Sequence, residues 1–245
     1  MRYKRLLFFH IPKSGGSSIE KLFLKNHKLL DFVIKIIFKE TPSSLLIVSS
    51  MRNRIWRLII FYVVSIFMSD FKNLWGIHKG IVLQHLTYNE IKQNERLYLK
   101  SRTLKDFKKF CIVRNPYDRM ISAYHFMGYG KTFREFINWV HTELDNYYRR
   151  NIKPFVVILP QWEFVTDTNG NNCMDDILRF ENLEEDFKRL KTKYKIKKRN
   201  LPHINHRTRY SPDIMAYFDK SMGDKVNKMY YWDFEMFGYN RIEFS

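Results

Sequence analysis

Cysteine is almost missing from this 245-residue chain, which has two, Cys111 and Cys173. Two cysteines are too few for a disulfide scaffold and stand in no metal-ligand spacing, so a stapled secreted domain and a cysteine zinc site are both excluded. The pattern fits a reducing compartment. Acidic residues are the second shortage: 25 Asp+Glu against 43 Lys+Arg leave a net charge of +18. Such a field attracts anions, whether nucleic acid, anionic lipid, nucleotide cofactors or acidic polysaccharide, although a Lys-rich solvated surface gives the same total. Long apolar runs are lacking as well. The stretch from Arg54 to Phe71 has an uncharged core only from Leu58 to Ser69, well short of the roughly 20 residues a spanning helix needs. It reads as a buried core helix, with an interfacial helix anchored by Arg52, Arg54, Trp56 and Arg57 as the competing reading. No secretory leader is legible, because the apolar run from Arg5 to Ile11 is too short and leads directly into glycines. A cytoplasmic location is therefore expected, with peripheral membrane contact if residues 54–71 are interfacial. No internal repeat and no linker occur, and 45% hydrophobic residues suit a globular chain, so a single domain over 1–245 is expected.

Glycine is scarce too, nine in all, which draws attention to the adjacent pair in "FFHIPKSGGSSIEKLF", residues 8–23. Paired glycines are costly to order and mark a sharp turn or a close approach. The apolar run at 5–11 predicts a buried strand, and Ile19, Leu22 and Phe23 share a helical face after Ser17 or Ser18 as N-cap. Strand, glycine turn and helix in that order aim backbone N–H groups at an anion. The stretch is not a Walker A loop: Lys13 precedes the glycines, no Gly-Lys-Ser/Thr follows, and no acidic magnesium ligand is evident at a strand end.

The logic recurs in "KKFCIVRNPYDRMISAYHFM". Phe110 to Val113 predicts a second buried strand, Asn115-Pro116 breaks it, and a helix follows. Arg114 leaves the strand and Ser122 lies two helical turns on, so a guanidinium and a hydroxyl can reach one phosphate. Elsewhere short strands are expected at Ile81–Leu83 and Ile177–Phe180. Helices are expected from near Thr87, over Phe133–Tyr148, over Leu183–Lys195, and from Asp213 through Asn227 onward. Residues 168–172, "TNGNN", read as a tight turn and 195–212 as a basic loop. Alternating short apolar strands and helices argue an α/β fold with a central parallel sheet covered on both faces. The mostly apolar and basic stretch at about 28–75 looks like a helical insertion.

"HIPKSGGSS" followed by "VRNPYDRMISAY" resembles the sulfotransferase superfamily, and within it the branch of carbohydrate sulfotransferases and their bacterial relatives. "QHLTYNEI", "LPQWEFV", "ILRFENLEEDF" and "YYWDFEMFGYN" continue the resemblance over most of the chain apart from about 28–75. It implies a single P-loop-like domain that uses 3′-phosphoadenosine 5′-phosphosulfate (PAPS) as donor and a hydroxyl, that of a carbohydrate by the branch it resembles, as acceptor. It further implies that Lys13, Ser14, Gly15, Gly16, Ser17 and Ser18 line the 5′-phosphosulfate, and that Arg114 and Ser122 line the 3′-phosphate. In sulfuryl transfer charge builds on the bridging oxygen, where a lysine stabilises it; Lys13 fits by position. The acceptor must lose a proton to a positioned base. His85 follows a predicted strand and matches the family's short motif; His78 is the alternative, and His10 is better placed to order the loop. Glu181 reads as a scaffold carboxylate. Gln161 reads equally as a ligand contact or a structural hydrogen bond. Arg207 and Arg209, in the basic loop before the last helical stretch, are further candidates for the 3′-phosphate. No metal is required, and no recognised nucleic-acid module is visible. A P-loop kinase and a non-catalytic basic surface protein are the alternatives.

Overall fold

Buried parallel strands read as continuous apolar runs because helices cover both faces of their sheet. In the computed structural model, which describes residues 6–23, 77–78, 81–82, 85–99, 102–196 and 213–244, two such runs pair, with a third, more polar strand at the edge. Strands β1 (Leu6–Phe9), β4 (Lys108–Val113) and β5 (Asp176–Arg179) form a parallel sheet in the order β1-β4-β5. Phe8 lies opposite Phe110 and Cys111 opposite Ile177. Alternation along the strands sorts the core. Leu7, Phe9, Cys111 and Val113 pack with Leu86, Ile91, Phe164 and Phe237. Leu6, Phe8, Phe110, Ile112 and Leu178 pack on the other face with Ile19, Phe187 and Leu190.

Most of the helical residues among these come from α1 (Gly16–Phe23), α2 (Tyr88–Gln93), the short α6 (Trp162–Val165) and α7 (Leu183–Tyr194), and α3 (Glu95–Leu99) adds Leu99 to the first cluster. A third cluster lies among α4 (Pro116–Met127), α5 (Phe133–Arg150), α9 (Lys220–Met229) and α10 (Tyr231–Phe237), where Met120, Phe136, Val140, Val226, Tyr230 and Phe234 are all buried. Local caps set the helix starts. Asn115 accepts from the Tyr117 N–H with Pro116 at the first helical position. Thr87 and Thr132 form capping boxes with Glu90 and Glu135, a reciprocal use of two donors that a helix start leaves unmatched.

Three expectations change. The strand at Ile81–Leu83 is β3 (Ile81–Val82), and it pairs antiparallel with β2 (Ile77–His78), apart from the parallel sheet; the two runs are close enough in sequence to form a hairpin. The helical stretch from Asp213 is three helices, the first α8 (Ile214–Tyr217). Phe218 is extended and the Asp219 carboxylate caps α9 by accepting from the Met222 N–H, while Tyr230 breaks α9 from α10. Finally, α1 starts at Gly16, with the Ser18 N–H bonded to the Gly15 carbonyl, so Ser17 and Ser18 lie inside the helix rather than before it. The insertion at 28–75, the apolar stretch Arg54–Phe71, and Arg207 and Arg209 lie outside the described residues.

Candidate active site

Parallel strands deliver their C-terminal ends to one edge of a sheet, and α/β sites gather there. Here β1 runs into His10–Gly15, β4 into Arg114 and β5 into Phe180-Glu181. The first of these loops is sharply turned, with Lys13 at φ 66° and Gly15 at φ 89°. A left-handed lysine costs on the order of 1–3 kcal/mol and persists only where its surroundings hold it. Three consecutive carbonyls are gripped by side chains. Ser14 Oγ donates to the Ile11 carbonyl at 2.7 Å, Arg119 Nε to that of Pro12 at 3.1 Å, and Arg114 Nη1 to that of Lys13 at 3.4 Å. With its carbonyls held by the protein, the loop leads into the N-terminal N–H groups of α1, which have no earlier turn of helix to bond.

The glycine pair is explained by packing as well as by the turn. A Cβ on Gly15 would stand 2.6 Å from the Phe180 ring, and one on Gly16 would stand 2.3 Å from the His10 ring. The close approach they permit includes contact with protein rings, the His10 ring lying against Gly16.

Lys13 is half-buried, with Nζ 4.1 Å from the centroid of the exposed Phe126 ring. Burial lowers its pKa below the ordinary lysine value, and the nearby Arg114 guanidinium adds to the shift. Arg114 is buried beneath it, its guanidinium 4.3 Å from the Phe180 ring centroid. Burial lowers the Arg114 pKa, opposed by the charges of Asp118 and Glu181. Its Nε has no hydrogen-bond partner among the described residues. Ser122 lies on α4 one turn from Arg119 and one from Phe126, at i, i+3 and i+7 spacing on a shared face. Since Arg119 holds Pro12 and Phe126 meets Lys13, that face is turned to the loop.

His85, just before α2, is half-buried, with Nδ1 3.1 Å from the His10 carbonyl oxygen and its ring edge-on to His10 at 4.8 Å between centroids. A carbonyl only accepts, so Nδ1 carries the proton and Nε2 is the basic nitrogen of the neutral ring. His78 is in β2, its side chain outside the described residues. Glu181 is a scaffold carboxylate as expected, accepting from the Asn115 N–H at 2.6 Å and the Tyr239 hydroxyl at 2.9 Å. Gln161 resolves to the structural reading: its amide spans the Arg114 backbone, taking the N–H at 2.9 Å and donating to the carbonyl at 2.8 Å.

Two residues escaped sequence reasoning. Arg119 is fully buried and donates to the Pro12, Val157 and Leu159 carbonyls; its spacing from Ser122 and Phe126 was the available signal. Asp233, fully buried in α10, accepts from the backbone N–H groups of Gln161 and Trp162 and from the Gln161 amide. Its signal was a carboxylate amid the aromatic residues of "YYWDFEMF". Burial pushes the Asp233 pKa up, opposed first by the charge of Arg119.

A turned loop at a helix N-terminus, a half-buried lysine and a buried arginine meet at the ends of the parallel strands, a geometry suited to holding an anion. The chain matches the sulfotransferase family over residues 2–240 and belongs to it. It is thus a sulfotransferase, an enzyme that moves a sulfuryl group, with PAPS the donor the family implies and a hydroxyl-bearing molecule the acceptor. No curated protein and no solved structure matches the chain. Kinase and non-catalytic readings give way to this membership.

Proposed function

We propose that this enzyme transfers the sulfuryl group of PAPS to a carbohydrate hydroxyl, with Lys13 stabilising the leaving oxygen and His85 acting as base. The observation that carries the reading is the meeting of the Lys13 loop with Arg114, whose Nη1 lies 3.4 Å from the Lys13 carbonyl. The residues present fit the donor: a buried guanidinium has an unpartnered Nε, and the loop ends in helix N–H donors. When bound, PAPS supplies the sulfuryl group and a phosphate leaving group.

In this reading Gly15, Gly16 and Ser17 present N–H groups to the 5′ side, and Ser18, whose N–H is bonded to the Gly15 carbonyl, offers its hydroxyl. Ser14 adds its own N–H, because its hydroxyl proton is committed to Ile11. Arg114 and Ser122 receive the 3′-phosphate, with Arg207 and Arg209 as further cations from the sequence beyond the described residues. Lys13 places positive charge where negative charge develops, and its interaction strengthens toward the transition state. His85 takes the acceptor proton at Nε2, its tautomer set by the His10 carbonyl. Carbohydrate as the acceptor rests on the likeness of the motifs to that branch. A single catalytic unit and a cytoplasmic location belong to the same proposal, as does peripheral membrane contact if Arg54–Phe71 is an interfacial helix instead of the core helix it first reads as, all supported by the sequence patterns alone.

The test is incubation with radiolabelled PAPS and a panel of glycans, with a phenol and a hydroxyl-bearing peptide as comparison acceptors, following label into each. His85→Gln in the same assay should lower kcat by roughly 10²–10⁴-fold, the usual worth of a positioned base, while adenosine 3′,5′-bisphosphate binds as before. No labelled glycan, with label in a phenol or peptide hydroxyl instead, overturns the carbohydrate reading. A His85→Gln enzyme of near-normal kcat moves the base elsewhere.

A further inference from the structure

Arg114 reaches its place by an unusual route. Its guanidinium makes one long hydrogen bond, to the Lys13 carbonyl at 3.4 Å, and its Nε has no partner among the described residues. Beyond that bond, the Phe180 ring and the charges of Asp118 and Glu181 act on the guanidinium. The Arg114 backbone is gripped more firmly. The Arg114 N–H belongs to the peptide plane before its Cα and the Arg114 carbonyl to the plane after it. Gln161 engages both at once, through Oε1 and Nε2. Fixing both flanking planes fixes φ and ψ, and with them the direction of the Cα–Cβ bond. One side-chain amide thus does for the residue beyond the end of β4 what a neighbouring strand does for residues within it.

Gln161 is itself held. The buried Asp233 carboxylate accepts from the Gln161 N–H at 2.9 Å and from its side-chain amide at 3.3 Å, and from the Trp162 N–H at 2.9 Å. The second contact settles the amide orientation, because a carboxylate accepts and only Nε2 can donate to it. On the far side of the same peptide, Glu181 takes the Asn115 N–H. The chain Asp233, Gln161, Arg114 therefore links α10 to the end of the central strand through buried groups.

We propose that Gln161, oriented by Asp233, is the positioning residue for Arg114 and sets the enzyme's preference for nucleotides that carry a 3′-phosphate. The proposal rests on the reading of Arg114 as the 3′-phosphate ligand. Gln161 touches neither donor nor acceptor in this account. It acts by keeping the guanidinium aimed, so its loss weakens one phosphate contact and spares the rest of the nucleotide site.

The experiment is calorimetric titration of adenosine 3′,5′-bisphosphate and of AMP into wild type, Gln161→Met and Asp233→Asn. Methionine keeps similar volume and removes both bonds to the Arg114 backbone. Gln161→Met should weaken the bisphosphate by roughly tenfold, the scale of one or two misdirected hydrogen bonds, while AMP affinity stays within about twofold of wild type. Asp233→Asn should move the same ratio in the same direction by less. AMP serves as the internal control, because general loosening weakens both nucleotides together, and that outcome overturns the proposal. So does a Gln161→Met protein with the wild-type ratio. A wild type with no preference for the bisphosphate removes the underlying reading of Arg114, and the proposal with it. Should Gln161→Met not fold, Gln161→Asn carries the same expectation, since it keeps the amide but falls one methylene short.

Discussion

Lys13→Ala should lower kcat by roughly 10²–10³-fold, the worth of a single group placed on developing negative charge, and leave the affinity for adenosine 3′,5′-bisphosphate within a few-fold of wild type. The argument begins in the backbone. Lys13 sits at φ 66°, in a loop whose carbonyls are held by Ser14, Arg119 and Arg114. Truncating its side chain removes an ammonium and leaves those grips in place. The Nζ rests against the exposed Phe126 ring, a contact worth about 0.5–1 kcal/mol at such a site, so the ammonium can leave it for a phosphate oxygen at little cost. Ground-state binding, which the N–H groups and Arg114 also supply, changes less than transition-state binding. A pH consequence follows from the lowered Lys13 pKa. The charged form is needed, and burial together with Arg114 disfavours it. The alkaline fall of kcat/KM, which reports the free enzyme, should therefore begin below the pH at which an ordinary lysine titrates. A Lys13→Ala enzyme with normal kcat and weakened nucleotide binding would give this residue a binding role only.

Arg119→Leu should destabilise the fold by about 3–5 kcal/mol, the scale on which removing one member of a buried charged network is felt. Arg119 is fully enclosed and donates to three carbonyls on two separate segments, Pro12 in the loop after β1 and Val157 and Leu159 before α6. Leucine fills part of the volume and leaves those acceptors without their donor, each at a desolvation cost of about 1–3 kcal/mol. It also removes the positive charge that opposes the burial of Asp233. Since domains of this kind are stable by about 5–15 kcal/mol, the loss is a large share of the total. Chemical denaturation followed by circular dichroism measures it. A midpoint within error of wild type would mean that the guanidinium is not a structural tie. Arg119→Lys should fall between the two, because an ammonium keeps the charge but cannot span both segments.

The sheet was legible in the sequence for a simple reason. Leu6–Phe9 and Phe110–Val113 are buried and stand out as apolar runs with no alternation to blur them, while β5 is marked by only Ile177 and Leu178 between Asp176 and the exposed Arg179. The residues at their ends, Lys13 and Arg114, were legible for the same reason, since each lies within a few positions of where a run stops. Periodicity was less informative at the C-terminus. Phe218, Met222, Val226, Tyr230 and Phe234 all face one core, so the apolar pattern continues across two helix breaks that only backbone angles at Phe218 and Tyr230 reveal. The hairpin at Ile77–Val82 illustrates another limit: two apolar residues announce a strand but not its partner. Least legible were Arg119, Asp233 and the role of Gln161. Their meaning depends on which segments meet, and Gln161 and Asp233 come together from opposite ends of a long stretch of chain. Neither Arg119 nor Asp233 carries a strong local sequence signal, and Gln161 reads from sequence equally as a ligand contact or a structural hydrogen bond.

The central claim is that the chain holds a donor site in which Arg114 receives a 3′-phosphate beside the Lys13 loop. The most direct measurement is thermal unfolding of wild type and Arg114→Ala with saturating adenosine 3′,5′-bisphosphate or AMP, since a ligand that binds only the folded state raises Tm in proportion to its affinity. The account predicts a much larger rise for the bisphosphate than for AMP with wild type, and equal small rises for both with Arg114→Ala. Equal rises with wild type, or an undiminished preference in Arg114→Ala, would contradict it.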